Sequence, residues 1–407
     1  MHQDHNALGV ALRFRPAEPV TLVRPHAATA AARFFVERFP GRSFYAVKAN
    51  PSPELLRALW AGGIRGFDVA SIAEVRLVRE TLPAATLAFM HPVKAPEAIA
   101  EAYHAHGVRI FALDSHAELA RIVAACATQG VPAADLTLCV RLRVSSAHSK
   151  LSLASKFGIA VEDAPALLAS ARQAADALGV CFHVGSQAMS PQAYADALAF
   201  VRAAIVEAGV TVDVVDVGGG FPSRYPGMEP PPLEAYFEVI HRHFEALPVS
   251  YSAELWCEPG RALAADYASL LVRVEKRRGD ELYINDGAYG ALFDAAHVDW
   301  RYPVALVRAR PSRARDMDFA FYGPTCDDMD RMKGPFALPA DVGPGDYLEI
   351  GQLGAYGQAM RTAFNGFGAS ETVAVADAPM RSLIPGNGGE APALPANVTP
   401  LFARRAG

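Results

Sequence analysis

Eight positions place a side chain or backbone suited to chemistry at or just past the end of an apolar, β-type run. They are Lys48, Asp68, His91, Asp114, Arg143, His183, the triplet Gly218-Gly219-Gly220, and Glu258. Lys48 is the most telling, because it follows Phe44-Tyr45-Ala46-Val47 and precedes Ala49-Asn50. An amine closing a buried strand is costly unless it is paired or used. Either it caps the strand and reaches water along its own stem, or it condenses with a carbonyl as a Schiff-base lysine. Two of the others have plain explanations and stay outside the site. Asp114 before Ser115 reads as a helix cap, and His91 before Pro92 as a strand-end hydrogen bonder.

For these ends to converge, the strands must run parallel and close on themselves. From residue 25 an Ala-rich helix to Phe39, the lysine strand and a helix over 52–61 begin a regular alternation. Strands follow at Gly66 to Ala70, Thr86 to His91, Val108 to Asp114, Leu136 to Arg143, Val180 to Val184, Val212 to Val217 and Ala253 to Glu258, with Ala/Leu-rich helices between them. The rhythm predicts an α/β protein built on a TIM (β/α)8 barrel over 25–263, whose chemistry sits at the carboxyl ends of the strands. Past Leu263 the texture changes to short strands and Gly/Pro turns, which predicts a mainly β domain over 264–377. Residues 1–24, with the β-type piece Val20-Thr21-Leu22-Val23, add a strand to it. Weak periodicity and many prolines from Ala378 predict a mobile tail over 378–407.

Composition narrows the function. The formal charge of -5 comes from 38 basic and 43 acidic side chains that are well mixed. There is thus no electrostatic footprint for nucleic acid or an anionic membrane, and the partner is a small molecule. Five cysteines, odd in number and without a CxxC pair, suit a reducing compartment. Met1-His2-Gln3-Asp4-His5 lacks the apolar stretch of a secretory signal, and no apolar run is long enough to span a membrane, so the expected location is the cytoplasm. His104/His106 and His241/His243 are spaced by two, which does not put a pair on one helix face, so no metal site is expected.

The strand ends match the needs of pyridoxal 5'-phosphate (PLP). Its phosphate calls for unobstructed backbone N–H groups, which Gly218-Gly219-Gly220 can supply together with Gly260 and Arg261. Its ring nitrogen must stay protonated, and Glu258 in Glu258-Pro259-Gly260-Arg261 offers the carboxylate. His183 could lie against the ring while Ser186 donates to the phosphate. The glycine triplet alone could be a tight turn, and His183 alone a core histidine.

Five blocks carry a family resemblance: Tyr45-Ala46-Val47-Lys48-Ala49-Asn50, Phe67-Asp68-Val69-Ala70-Ser71, His183-Val184-Gly185-Ser186, Val217-Gly218-Gly219-Gly220-Phe221-Pro222 and Glu258-Pro259-Gly260-Arg261. Together, over about residues 20–375, the chain resembles the fold-type III PLP-dependent decarboxylases. The resemblance implies a head-to-tail homodimer whose active sites draw on both subunits. It implies that Lys48 carries the cofactor, Glu258 faces the pyridinium and His183 stacks on the ring. Asp68, Arg143, Ser186, Arg261 and Tyr356 complete the cofactor set, with Tyr356 in Gly354-Ala355-Tyr356 meeting the phosphate.

Gly323-Pro324-Thr325-Cys326-Asp327-Asp328 resembles the ornithine decarboxylase motif. That likeness makes Cys326 a proton donor and Asp327 a holder of the substrate's distal ammonium, with Tyr289 and a second aspartate, Asp294, alongside. The implied reaction is L-ornithine to putrescine and CO₂, a step of polyamine biosynthesis. The Ser145-Ser146-Ala147-His148-Ser149-Lys150 loop departs from the acidic loop of many ornithine enzymes. A broad lysine/ornithine decarboxylase therefore stays open, as do an amino-acid racemase and a non-catalytic PLP-binding protein, although Cys326 argues against the racemase.

Overall fold

The computed structural model describes residues 6–153 and 155–387. The chain divides into two compact units, one of Ala28–Arg224 with Met228–Ala264, the other of the remaining residues.

In the first unit, eight parallel strands close into a barrel. In chain order they are Arg42–Ala46, Gly66–Val69, Thr86–Phe89, Ile110–Leu113, Thr137–Arg141, Ala177–Cys181, Val214–Asp216 and Glu254–Cys257. The last closes on the first, with Trp256 opposite Arg42. Alternate residues from the strands build a buried cluster of Phe44, Ala88, Ile110, Ala112, Cys139, Cys181, Val214 and Trp256. Small residues and cysteines share that interior with the rings of Phe44 and Trp256. Two of the helices between the strands start on serine caps: Ser71 accepts from the Glu74 N–H, and Ser115 from the Glu118 N–H, each at 3.2 Å. The cap expected of Asp114 belongs to Ser115. Asp114 instead accepts from the Gly158 N–H at 3.0 Å and so ties down a loop past the Thr137–Arg141 strand.

The second unit is built on a sheet in the order Val304–Val307, Tyr347–Ile350, Ala268–Arg278, Glu281–Ile284, Asp316–Tyr322, Arg331–Pro339. Val20–Val23 joins it between two distant segments, antiparallel to Ala268–Arg278 and parallel to Glu371–Ala374. A helix the sequence reading lacks, Ala7–Phe14, is capped by Asn6 and buries Ala7, Val10 and Ala11 against Leu22, Leu271 and Val307. Arg24 is buried among Asp377 (Nε to Oδ1, 3.0 Å), Ser269 (Nη1 to Oγ, 2.8 Å) and Glu349 (Nη2 to Oε1, 2.8 Å). The tail expected from residue 378 is, over 378–387, hydrogen-bonded into this unit. Ser382 donates to Asp266, and buried Asn387 donates to the Ala27 carbonyl at 3.0 Å. The rest of that tail lies outside the described residues. Among the described residues, no helix is long and apolar enough to cross a membrane.

Candidate active site

The barrel's carboxyl ends gather most of the cofactor residues named from the sequence. The strand carrying Lys48 stops at Ala46, and a single 3-10 turn, Val47–Ala49, takes over. The turn lifts the amine off the strand, leaves the side chain 45 % exposed and sets Nζ 3.5 Å from Oδ2 of buried Asp68. Glu74, not foreseen, accepts from the Ala70 N–H at 2.7 Å beside this pair. Burial raises its carboxyl, and the Asp68 charge adds to that.

Glu258 follows the last strand and is 8 % exposed. One carboxyl oxygen, Oε1, has no hydrogen-bond partner among the described residues. Its carboxyl bonds with that of Asp216, which ends the neighbouring strand, is 1 % exposed and accepts from the Gly218 N–H at 2.8 Å. Burial first, then the Asp216 and Asp68 charges, push Glu258 well above the carboxylate range, and burial lifts Asp216 to about 6.

His183 accepts from the Gly185 N–H through Nδ1 at 3.0 Å, which fixes the ring. Burial, and then the charges of Lys48 and Arg141, hold it well below the usual imidazole range, so it is neutral at pH 7. Gly218 has φ +67°, and a Cβ there would lie 1.9 Å from the Phe182 carbonyl oxygen. A Cβ at Gly219 would meet the Glu258 carbonyl oxygen at 2.8 Å and His183 Nε2 at 2.9 Å. The triplet is therefore a built cradle rather than a loose turn. Arg261 is buried just past Gly260 and directs Nη2 toward Ser186 Oγ at 3.5 Å.

Arg143 stands two residues past the end of its strand, which stops at Arg141, and lies exposed there. Arg141 shares the inward parity of Cys139, and its charge reaches His183 and Asp216.

The substrate residues named from the sequence lie in the second unit. Tyr289 donates to Asp327 Oδ2 at 2.5 Å, and the Met329 N–H donates to Oδ1 at 2.9 Å. These two donors, the hydroxyl first, hold Asp327 below the usual carboxylate range. Cys326 is exposed while the other four cysteines are buried. Its Sγ lies 3.3 Å from Oδ1 of Asn365, which also accepts from the Cys326 N–H at 3.2 Å. Buried Asp330 braces the loop by accepting from Thr325 and from the Ala288 N–H (2.7 Å), which joins it to the Tyr289 turn. Asp294 stands in the first turn of the short helix Phe293–His297. Tyr356 holds φ +66°. Sequence reading missed Asn365, although it stands inside Phe364-Asn365-Gly366-Phe367. It also missed Asp216, an acid ending an apolar run just before three glycines.

The barrel end fits PLP on its own chemistry. Glu258 Oε1 is a buried acceptor lacking a donor, as a pyridinium N–H requires, and Gly218-Gly219 leave backbone open beside a buried arginine.

Comparison with known proteins agrees. Residues 26–265 match the family model for the pyridoxal-binding domain of pyridoxal-dependent decarboxylases. The chain is 33% identical to the lysine/ornithine decarboxylase of Selenomonas ruminantium over 83% of this chain and 84% of that one. It is 32% identical to mouse ornithine decarboxylase, over 84% of this chain and 77% of the relative. The arginine decarboxylase of Paramecium bursaria Chlorella virus, solved with agmatine, superposes with a TM-score of 0.79 at 26% identity, covering 90% of this chain and 98% of that one.

Proposed function

The chain belongs to the pyridoxal-dependent decarboxylases of basic amino acids, and we propose that its own substrate is L-ornithine, converted to putrescine and CO₂. The observation that carries the proposal is the Cys326–Asp327 pair. Asp327 is kept ionised by the Tyr289 hydroxyl and the Met329 N–H, next to the one exposed thiol. A fixed carboxylate is a counter-ion for a side-chain ammonium, and Asp294 supplies a second. PLP, when bound, supplies an aldehyde for amine condensation and a ring that accepts electrons.

The protein's part is orientation and proton handling. Lys48 would provide the amine that anchors the cofactor, Glu258 would accept from the ring nitrogen, and the Gly218-Gly219-Gly220 backbone with Ser186 and Arg261 would hold the phosphate. His183, neutral and fixed through Nδ1, would flank the ring. When the bond to the substrate carboxylate breaks, its electron pair stays on the α-carbon, and Cys326 Sγ–H returns a proton there. Exposed Met329, Phe364 and Phe367 flank Cys326. Such an apolar patch supports a cytoplasmic homodimer in which a second copy covers this face and presents its own Lys48.

A broader lysine/ornithine preference is the second reading, favoured by the Selenomonas relative, which is named for both substrates. One methylene discriminates by only about 1–3 kcal/mol. Release of CO₂ from ornithine, lysine, arginine and diaminopimelate by the purified holoenzyme tests the proposal. Ornithine should give the highest kcat/KM. Faster turnover of lysine or arginine overturns it.

A further inference from the structure

The Asp216–Glu258 contact does something that a single pyridine-facing carboxylate cannot. Asp216 ends the Val214–Asp216 strand and Glu258 follows Glu254–Cys257, strands paired in parallel with Asp216 opposite Trp256. The Glu258 N–H donates to the Gly218 carbonyl at 2.8 Å, and the Gly218 N–H donates back to Asp216 Oδ1. The backbone thus clamps two side chains, each more than nine-tenths buried, into carboxyl-to-carboxyl contact. Two ionised carboxylates held so closely repel, whereas one proton shared between them makes a hydrogen bond. The Lys48 charge also acts on Glu258, and Asp68 adds a third acid. The Arg141 charge favours ionised Asp216, and the thiols of Cys139, Cys181 and Cys257 lie within the electrostatic reach of the pair.

We propose that Asp216 and Glu258 hold one proton between them in the cofactor-free protein and give it up when the pyridine ring docks on Glu258 Oε1. If the ring arrives unprotonated, the proton moves from the Glu258 carboxyl to the ring nitrogen. If the ring arrives protonated, its N–H⁺ replaces the shared proton as the neutralising charge and the proton leaves to solvent. In both cases Glu258 ends ionised against a pyridinium, and no charge beyond the ring's own is added to a buried site. Asp216 is then a positioning residue. It sets the protonation of Glu258 before the cofactor arrives and holds its carboxyl afterwards. The inference rests on the family's cofactor and not on which amino acid is the substrate.

The test uses pyridoxine 5'-phosphate, which lacks the aldehyde and forms no bond with Lys48, added to full-length protein stripped of PLP. Calorimetry in buffers of different ionisation enthalpy counts protons exchanged with solvent, and ring absorbance before and after binding counts protons gained by the ring. With the phosphate fully ionised at mildly alkaline pH, the two counts together should show wild type giving up one proton. Asp216→Asn keeps an oxygen for the Gly218 N–H and gives Glu258 an amide donor in place of the Asp216 charge, so part of the push on Glu258 is removed and the inventory should fall clearly below one. Infrared difference spectra of wild-type protein with ¹³C-labelled glutamate and aspartate should also lose a protonated-carboxyl band on binding. This keeps the test decisive if the variant does not fold. A zero inventory in wild type, the same count in Asp216→Asn, or an unchanged carboxyl band overturns the proposal.

Discussion

Gly219→Ala isolates the cradle from every other part of the site. Gly219 does not occupy the left-handed region, so alanine meets no backbone objection and only its methyl matters. That methyl would sit 2.8 Å from the Glu258 carbonyl oxygen and 2.9 Å from His183 Nε2, closer than carbon tolerates. The Glu258 oxygen belongs to a backbone whose N–H is tied to the Gly218 carbonyl, while His183 is pinned through Nδ1 by the Gly185 N–H. Neither neighbour gives way freely, and overpacking of this kind costs about 1–3 kcal/mol. Spent on displacing the two groups that meet the ring, this weakens PLP binding about five- to 150-fold. Titration of PLP into the stripped protein, followed by absorbance, measures the loss. Gly343→Ala, where a Cβ meets nothing within 4 Å, is the control and should bind as wild type does. PLP affinity within twofold of wild type in Gly219→Ala, with an unchanged melting temperature, would refute the cradle.

Lys48→Ala and Cys326→Ala should each be nearly inactive as homodimers. Re-equilibrated together, they should recover up to about a quarter of wild-type activity, because half the dimers are mixed and each has one intact site of two; no rescue despite proven subunit exchange defeats the shared site. Tyr289→Phe removes the hydroxyl that holds Asp327 low. The carboxyl then protonates at higher pH, so the acid limb of kcat/KM for ornithine should move upward and KM should rise more than kcat falls; an unmoved limb contradicts the ammonium-holding role. Asp266, buried and lifted from 3.8 to about 6, binds its proton more tightly folded than unfolded. Its contribution is complete below 3.8 and lost as pH rises through about 6, an effect of at most about 3 kcal/mol. Asp266→Asn should flatten that part of the urea-unfolding profile between pH 4 and 6, and an unaltered slope rules the assignment out.

The barrel was legible because each parallel strand is an apolar run that stops at a polar residue, and the closed sheet brings those stops together. What was not legible depended on where a strand stops and on contacts far along the chain. Arg141 and Arg143 share a parity, and no local pattern in the sequence says which of them the strand carries. Asp216 hid inside the run Val212 to Val217, where one acid is easily passed over, although burying an acid unpaired is expensive enough to serve as a flag. Asn365 reaches Cys326 across 39 residues, a contact no local pattern announces. Helix Ala7–Phe14 is too short for its periodicity to stand out, and packing, more than propensity, keeps it helical.

The strand Val20–Val23 has a consequence for how the protein is made. Its neighbours are residues 268–271 on one edge and 371–374 on the other, and the adjoining Arg24 finds its partners at 269, 349 and 377. On the ribosome the barrel's residues emerge as one continuous run and can close while translation continues. The opening strand cannot, because one edge stays unpaired until about 250 more residues have followed and the other until about 350. An apolar strand left open that long is a template for stray pairing. Chains that stall between the end of the barrel and residue 371 therefore leave at least one edge of this strand open. The protein's weakest moment comes late in synthesis and sits at its first strand.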